Sequence, residues 1–338
     1  MPKVSVIIPV YGVEQFVEAA IRSVLNQNYN DFEIIVVNDK SPDRSLEICE
    51  SIIDPRIKIV THLENRGLAG ARNTGIRHAS GDYIALLDSD DLWEEGKLLA
   101  HVKHLDENPL VGVSFSRSAF IDEQGRHLNT YQMPKLNNIT VAHLMCRNPV
   151  GNGSAPVVRK EVFEQIGVME NIHGVDELHY FDDSFRQSED IECWIRIAAT
   201  TSWQFEGLSD PLTLYRINSA SLSANIPKQL ASWEKVMDKL KSYSPELWEQ
   251  NVDLARAFQL RYLARQAIRQ KDGHTSFALV RQAFKSSPAM LFKEPGRTIL
   301  TVVAAVTLLV VPKNIYQKLE PVGISLVGRT QQLRISLR

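Results

Sequence analysis

Three carboxylates occur within four positions, at Asp88, Asp90 and Asp91, directly after the apolar run 84–87. Such a run predicts a buried strand of a parallel sheet, and ligands of such sheets bind beyond the carboxyl ends of the strands. Hard oxygen ligands suit Mg²⁺ or Mn²⁺, and Mg²⁺ is usually shared between one or two carboxylates and substrate phosphates. The motif therefore indicates a divalent metal that holds a phosphorylated substrate. The alternative is an acidic turn in which Asp91 caps the following helix.

The segments that must position these carboxylates alternate between strand and helix. Apolar runs predict strands over 3–10, 32–37, 57–60 and 83–87, and helical spacing predicts helices over 13–27, 45–53 and 70–79. Short connections between them are typical of βαβ units with a parallel sheet. Right-handed crossovers would then place the loops after the four strands along one edge of the sheet.

Beyond Asp91 the alternation ends. We expect a helix over 93–108, an extended segment over 111–120, an irregular region over 129–185 and a helix over 190–200. The irregular region is rich in Asn, Gly and Pro, which is typical of a segment that recognises a substrate.

The composition argues against a general nucleic-acid binder. The 338 residues have a formal net charge of −2, whereas such binders are usually basic. The three cysteines, Cys49, Cys146 and Cys193, lie far apart and form no CxxC pair, so we expect neither a disulfide framework nor a zinc site. The first residues lead directly into a strand-like pattern, and we therefore expect no secretory signal and a cytoplasmic location.

The charge changes sign along the chain. Residues 256–338 carry nine arginines and five lysines against three acidic side chains, so the remainder is acidic. We therefore expect one domain over 1–225 and a helical, basic C-terminal region over 226–338.

An apolar run over 298–311 lies within this basic region. It is shorter than the roughly 20 residues that span a bilayer. Together with the basic side chains it predicts a peripheral contact with the inner face of an anionic cell membrane. The alternative is a buried helix in an ordinary helical subdomain.

The motifs of the chain resemble, in order and spacing, those of the family 2 glycosyltransferases, which have the GT-A fold. The matching segments are VSVIIPVY (4–11), VNDKSPD (37–43), NRGLAGARNTG (65–75), DSD (88–90), SED (188–190) and YR (215–216). The resemblance covers about 1–225. It implies an α/β fold with a Rossmann-like, mostly parallel central sheet flanked by helices. It also implies an inverting transferase that uses a nucleotide-diphosphate sugar.

The same resemblance implies a role for each site residue. Asp190 is expected to be the catalytic base, and Asp90 the direct ligand of a Mn²⁺ or Mg²⁺ ion. Contacts with the nucleotide sugar are expected from Pro9, Tyr11, Glu14, Asp39, Arg72, Asp88, Ser89 and Arg216. The family often has a histidine two positions after this last arginine, where the chain has Asn218.

Several of these positions also have a purely structural interpretation. Asp39 could form an Asx-turn or cap the helix that begins near Ser45. Tyr11 could lie in the core. Ser188 could cap a helix whose dipole is complemented by the two acids that follow it.

Weaker signals occur on other predicted elements. His101 and His104 are expected on a solvated helix face rather than in a metal pair, and Trp194 in the core rather than in an acceptor pocket. The segment 148–154 is polar and rich in glycine, and either an acceptor-binding role or a plain loop is compatible with it.

The function that we expect is metal-dependent transfer of a sugar, from a UDP-sugar in preference to other donors, to a hydroxyl of a surface glycan or a lipid-linked saccharide. The QxxRW motif and spanning helices of the family's processive synthases are missing, which favours addition of one or a few sugars. A sugar nucleotidyltransferase is an alternative, although its first loop is usually rich in glycine and basic, unlike PVYGVE at 9–14. A noncatalytic nucleotide-sugar-binding protein is a further alternative, and the presence of Asp190 counts against it.

Overall fold

The computed structural model describes residues 1–172, 174–217, 225–311 and 328–335. It divides into two units. The first comprises Met1–Ile139, Pro149–Asn218 and Arg334–Arg338, and the second comprises Thr140–Asn148 and Ser219–Leu333. The short segment Thr140–Asn148 thus groups with the C-terminal helices, although it lies near the middle of the chain.

The first unit contains a mixed sheet with helices packed against it. Its strands are β1 (Val4–Val10), β2 (Phe32–Asn38), β3 (Ile57–Thr61), β4 (Tyr83–Leu86), β5 (Leu92–Trp93), β6 (Val111–Ile121), β7 (His127–Gln132), β8 (Val157–Arg159) and β11 (Gln204–Arg216). A separate pair consists of β9 (Val168–Glu170) and β10 (Glu177–His179). Its helices are α1 (Val17–Leu25), α2 (Ser45–Ser51), α3 (Gly67–His78), α4 (Lys97–Glu107), α6 (Lys160–Ile166) and α7 (Glu189–Thr200).

The strand pairing places the polar loops of the first unit at one edge. β3, β2, β1 and β4 are neighbours in that order and run parallel, so their carboxyl ends share an edge. β8 joins β4 to β6 in antiparallel pairing, and β11 runs parallel to β6. The expected α/β fold with a largely parallel central sheet is confirmed.

The central parallel strands β1 and β2 are mostly apolar because both faces of the sheet are covered there. Every residue of β1 and of β2 is buried. Helix α1 presents a buried apolar stripe to this core, formed by Val17, Ala20, Ile21 and Val24. Burial of each valine or isoleucine side chain contributes about 1.5–3 kcal/mol, so these strands and helices form the rigid support of the loops.

The helix expected over 93–108 begins only at Lys97. Leu92 and Trp93 instead form β5, which pairs antiparallel with Leu214 and Thr213 of β11. Sheet pairing therefore overrides helical periodicity at these positions. The expectation of an irregular region over 129–185 was also wrong in part, since its described residues include five short helices and strands that lie entirely within it.

The second unit is helical. It contains α5 (Val141–Cys146), α8 (Ile226–Tyr243), α9 (Pro245–Arg269), α10 (Gly273–Ser286), α11 (Ala289–Lys293) and α12 (Pro295–Val310). Its core is formed mainly by α9, whose buried residues include Phe258, Leu260 and Leu263. Among the described residues, no helix is long and apolar enough to cross a membrane.

Candidate active site

The acidic loop after β4 is held by hydrogen bonds from two distant segments. Ser154 Oγ accepts from the backbone N–H of Asp88 at 2.9 Å and donates to Asp91 Oδ2 at 2.6 Å. The backbone N–H of Arg216 donates to Asp91 Oδ1 at 2.8 Å. Asp91 is 1% exposed, and burial, followed by the charges of Asp90 and Asp88, raises the pKa of its carboxyl. It is an internal acceptor that shapes the loop, and the suggestion that it caps a helix was wrong.

Arg216 at the end of β11 also holds this loop. Its Nε donates to the carbonyl of Asp90 at 2.6 Å, and its Nη1 donates to the carbonyls of Asp122 at 2.9 Å and Glu123 at 2.8 Å. The guanidinium lies 4.8 Å from the centre of the Phe16 ring. Arg216 thus fixes the backbone at Asp90, and its expected contact with a diphosphate stays a prediction. Asn218 lies outside the described residues.

Arg72 connects the acidic loop to the second acidic motif. Its Nη2 donates to Asp88 Oδ1 at 2.7 Å, and its Nη1 donates to Glu189 Oε1 at 2.9 Å. The side chain is nearly inaccessible, and burial opposes its charge. The charges of Asp88, Glu189 and Asp190 outweigh that effect and raise the pKa of Arg72. This one guanidinium therefore brings together carboxylates that are about a hundred residues apart in the chain.

The second acidic motif opens helix α7. Ser188 stands at the N-cap position with φ of +64°, a left-handed conformation that is uncommon for serine, and its side chain makes no capping bond. The suggested Ser188 cap is therefore not formed. Burial, offset by Arg72 and reinforced by Asp190, raises the pKa of Glu189 to about 7. Asp190 is half-buried, and it contributes to the electrostatics of both Glu189 and Arg72.

The segment 152–154 lies directly against this ion pair. A Cβ atom added at Gly153 would stand 2.2 Å from Arg72 Nη2 and 2.3 Å from Asp88 Oδ2. Only glycine fits so close an approach without moving the pair. The sequence indicated the polarity of 148–154, but it did not indicate that Gly153 and Ser154 support the acidic loop. An acceptor-binding role for the segment stays a prediction.

Asp39 organises the loop between β3 and α3. Its Oδ1 accepts from the backbone N–H of Arg66 at 2.7 Å and lies 2.8 Å from His62 Nδ1. Its Oδ2 accepts from the backbone N–H of Gly67 at 2.8 Å. The turn before α2 is made by Asp43, whose Oδ1 accepts from the backbone N–H of Ser45 at 3.1 Å. The suggestion that Asp39 makes this turn was wrong, and its contact with a base stays a prediction.

Two side chains beside Asp39 were missed by sequence reasoning. His62 contacts Asp39 through Nδ1 and Thr74 Oγ1 through Nε2, the latter at 2.8 Å. A Cβ at Gly67, which has φ of +77°, would stand 2.2 Å from Nη1 of the exposed Arg186. Neither His62 nor Arg186 belongs to a sequence motif, and each is far in sequence from the residue that it meets. The sequence therefore could not indicate these contacts.

Tyr11 is available to a ligand. Its side chain is 53% exposed, so the suggestion that it lies in the core was wrong. The backbone after it is fixed, since the N–H groups of residues 12–14 donate to Ser41, Ser45 and Asp43. Glu14 accepts from the backbone N–H of Arg44 at 3.0 Å, and Pro9 is buried in β1 opposite Val37.

The weaker signals have structural explanations. Trp194 is buried and meets the rings of Phe181 and Phe205 edge to face, as expected for a core residue. His101 is fully buried, so the expectation of a solvated face was wrong for it. Both His101 and His104 lie within hydrogen-bond distance of Ser114 Oγ, at 2.7 and 2.8 Å.

The acids of the loop suit a metal that is shared with substrate. Within the described ranges, no group of three or more His, Cys, Asp or Glu side chains could hold a metal ion alone. Asp91 is already used by Ser154 and Arg216, and the other two carboxylates of the loop are those of Asp88 and Asp90. Because Mg²⁺ commonly takes one or two carboxylates and completes its shell with substrate phosphates and water, this donor set fits it.

Comparison with known proteins identifies the family. The family model for glycosyl transferase family 2 matches residues 5–167. The Escherichia coli protein named UDP-Glc:alpha-D-GlcNAc-diphosphoundecaprenol beta-1,3-glucosyltransferase WfgD is 30% identical over 240 residues, which are 70% of this chain and 85% of WfgD. The chain belongs to glycosyltransferase family 2. This family 2 chain spans only 29% to 63% of the length of several other curated relatives.

Solved structures agree with the fold of this family 2 chain. S. aureus TarS 1–349, in complex with UDP-GlcNAc, superposes with a TM-score of 0.55 at 16% identity, covering 98% of this chain and 89% of TarS. The mannosyltransferase PcManGT from Pyrobaculum calidifontis, in complex with GDP-Man and Mn²⁺, gives 0.51 at 19% identity, covering 91% and 87%. At these identities the likeness establishes the GT-A fold, in agreement with the expectation from sequence.

Proposed function

We propose that this chain transfers a sugar from a nucleotide-diphosphate sugar, with UDP favoured, to a hydroxyl of a glycan or lipid-linked saccharide. The observation that carries the proposal is the Arg72 bridge from Asp88 to Glu189. It fixes the loop that would face the diphosphate beside the helix that begins with Glu189 and Asp190.

The proposed chemistry follows from the charges at the site. As the bond between the anomeric carbon and the diphosphate breaks, its electron pair leaves with the nucleotide diphosphate. The acceptor oxygen forms a bond on the opposite face, which inverts the configuration, and its proton passes to Asp190. A positioned base of this kind contributes roughly 10²–10⁴-fold to a rate.

A divalent cation completes the proposed site. Asp90, with Asp88, would hold Mn²⁺ or Mg²⁺, which as a Lewis acid stabilises negative charge on the leaving diphosphate. Arg216 would keep the backbone of Asp90 in place through its bond to that carbonyl. Arg72 would keep Asp88 oriented through its bond to Oδ1.

The choice of substrates rests on what similar proteins are named for. WfgD is named for UDP-Glc as donor and a diphosphoundecaprenol-linked sugar as acceptor. TarS was crystallised with UDP-GlcNAc, and PcManGT with GDP-Man. On this basis we propose a UDP-sugar donor and a lipid-linked or surface-glycan acceptor.

We also propose that the second unit contacts an anionic membrane surface. Helix α12 buries Thr298, Thr301, Ala305 and Leu308 on its inner face. After the exposed Arg297 of its first turn, the outer face carries apolar side chains, and the exposed fractions are 40–73% for Ile299, Leu300, Val303, Val306 and Val310. Residues 256–338 carry a strong excess of basic side chains, which complements anionic headgroups. An apolar face beside basic side chains is typical of helices that lie in the interface of a bilayer.

The nucleotidyltransferase alternative is disfavoured by the first loop. A triphosphate cradle needs unpaired backbone N–H groups, whereas those of residues 12–14 already donate to side chains of the 41–45 loop. The noncatalytic alternative is disfavoured by the presence of Asp190 next to the Arg72 bridge.

The test is a transfer assay with purified protein. A thermal-shift screen of nucleotide sugars with Mn²⁺ selects the donor, and a lipid-linked saccharide and a free glycan then serve as acceptors. NMR of the product reads the anomeric configuration, which we expect to be inverted. Retention of configuration, absence of transfer with every bound donor, or release of pyrophosphate from a nucleoside triphosphate would each contradict the proposal. Flotation with phosphatidylglycerol vesicles tests the membrane contact, which predicts binding that Val303→Asp weakens.

A further inference from the structure

Arginines gather on one face of α9 in the second unit. Arg261, Arg265 and Arg269 follow one another at intervals of four, so they lie along one side of the helix. Arg147, directly after α5, and Arg297, in the first turn of α12, reach the same place. We refer to Arg147, Arg261, Arg265 and Arg297 as the arginine cluster.

Three members of the arginine cluster share one carboxylate. Glu294 accepts charged hydrogen bonds from Arg147 and Arg261, and Arg297 lies 3.5 Å from its other oxygen. Arg261 also donates to the buried Thr298 hydroxyl. Both Arg147 and Arg261 lie over the ring of Phe258. These contacts fix the cluster on packed helices rather than on a loop.

Positive charge in the cluster exceeds what Glu294 can balance. In the part of the chain that the structure describes, Arg265 pairs with no carboxylate, and its side chain reaches solvent. Desolvation by the surrounding protein, followed by the positive charges of Arg269 and Arg147, lowers the pKa of Arg265 to about 10. Burial lowers the pKa of Arg261 as well. The Nε of Arg147 is buried with no hydrogen-bond partner among the described residues.

A group that relieves this repulsion must be an anion with several oxygens. Guanidinium forks match phosphate oxygens in pairs and bind them with directional, charge-assisted hydrogen bonds. The cluster has four guanidinium groups, and Glu294 supplies one negative charge. An anion with more than one negative charge therefore matches the cluster better than one further carboxylate would. We propose that the arginine cluster is a binding site for a phosphate-bearing anion of the diphosphate class, separate from the acidic site of the first unit.

Two sources could supply such a group: a free diphosphate, or the diphosphate headgroup of a membrane lipid. The chemistry recognised is the same in both. This proposal stands on the arginines of the second unit alone and does not require the proposed transfer reaction.

The first experiment measures binding of inorganic pyrophosphate by calorimetry. EDTA is present throughout, so that metal-assisted binding at the acidic loop does not contribute. We expect saturable binding that Arg265→Gln weakens at least tenfold. The matched control is Arg281→Gln, which removes an equal charge from an exposed arginine of α10 outside the cluster. Equal weakening in the two variants, or no saturable binding by the unaltered protein, would overturn the proposal.

The second experiment identifies the source of the group. Vesicles of phosphatidylcholine are compared with vesicles that also contain a lipid diphosphate, and bound protein is recovered by flotation. Recovery only with the lipid diphosphate, reversed by pyrophosphate and lost in Arg265→Gln, supports a lipid headgroup. Binding of pyrophosphate without flotation supports a free diphosphate. Flotation that Arg265→Gln does not reduce would contradict a role of the cluster at the membrane. Because Arg265 is exposed, we expect the variant to fold, and its unfolding curve checks this.

Discussion

The two charged clusters of this chain have opposite composition. In the first unit one buried arginine, Arg72, lies among carboxylates from the acidic loop and the start of α7. In the second unit one glutamate, Glu294, lies among several arginines. In each unit the minority charge holds the majority charges close together without neutralising them. An excess of like charge that is held in place by packing is a site for the opposite charge, and the comparison therefore predicts a cation in one unit and an anion in the other.

The clusters differ in how they are built. The acidic site collects residues from five stretches of sequence: Arg72, the acidic loop, Ser154, the start of α7 and Arg216. Backbone groups as well as side chains hold it, as at Asp91 and Arg216. Half of the arginine cluster, Arg261 and Arg265, comes from one face of α9, and Arg147 after α5 and Arg297 in α12 complete it. A site built across a sheet edge can hold a substrate between elements, whereas Arg265 on the face of α9 is exposed to solvent. This difference supports catalysis in the first unit and docking in the second.

The largest effect is expected from Asp190→Asn. Loss of the proposed base should lower kcat about 10²–10⁴-fold while leaving donor affinity nearly unchanged. Steady-state kinetics and donor calorimetry measure the two quantities. Asp210→Asn, at an exposed position of β11, is the matched control and should retain activity. If the two variants turned over alike, Asp190 would not be the base.

Arg72→Met tests whether the minority charge holds the acidic site together. It leaves the half-buried carboxylate of Asp88 and the buried carboxylate of Glu189 without their shared partner, so the free energy of unfolding should fall by about 3–5 kcal/mol. Urea denaturation measures it. Arg22→Met, which removes an exposed pair with Glu18, should change stability by only about 0–1 kcal/mol. Equal losses in the two variants would show that the Arg72 bridge contributes no more than a surface pair.

Glu294→Gln is the corresponding test in the second unit. Removal of the shared carboxylate leaves the arginines uncompensated, and we expect a loss of about 1–3 kcal/mol, reduced because Glu294 is partly exposed. Pyrophosphate should restore stability in this variant more than in the unaltered protein, since a bound anion replaces the missing charge. If pyrophosphate stabilised both proteins equally in denaturation curves, the predicted parallel between the acidic site and the arginine cluster would be contradicted.

Glu189→Gln sharpens the comparison through pH. Burial raises the pKa of Glu189 from 4.5 to about 7, so the folded state binds a proton that the unfolded state has lost between these values. The contribution of this bound proton to the free energy of unfolding is therefore fully present below about pH 4.5 and is lost as the pH rises towards 7. We expect the unaltered protein to lose about 1–3 kcal/mol more than Glu189→Gln between pH 5 and 7.5. Parallel stability profiles would contradict the raised pKa.

The smallest effect is expected at Tyr11, beside the acidic site. Because its ring is exposed, Tyr11→Ala should leave stability unchanged but weaken donor binding by about 1–2 kcal/mol through lost stacking on a base. Tyr11→Phe keeps the ring and should bind as the unaltered protein does. Calorimetry with the selected nucleotide sugar distinguishes them, and equal affinities for all three would remove Tyr11 from the donor site.

The sequence by itself determined the α/β fold and the family. Strands such as 4–10 and 32–38 consist mostly of apolar residues, as is typical of a sheet that is covered on both faces. The family motifs occur in order and at family-like spacing. Local periodicity is a property of neighbouring residues, so it can be read without the fold. The basic character of the C-terminal region was equally visible.

The tertiary structure alone decided which charges meet. Nothing near Arg72 in the sequence indicates that it joins Asp88 to Glu189, and Ser154 reaches Asp91 from 63 positions away. Asp91 is followed by a helix-like pattern in the sequence, but the pairing of β5 with β11 replaces the start of that helix. Arg147 groups with α9 because the segment Thr140–Asn148 belongs to the second unit. Long-range pairing depends on the packing of whole elements, and no local pattern encodes the partner of a buried charge.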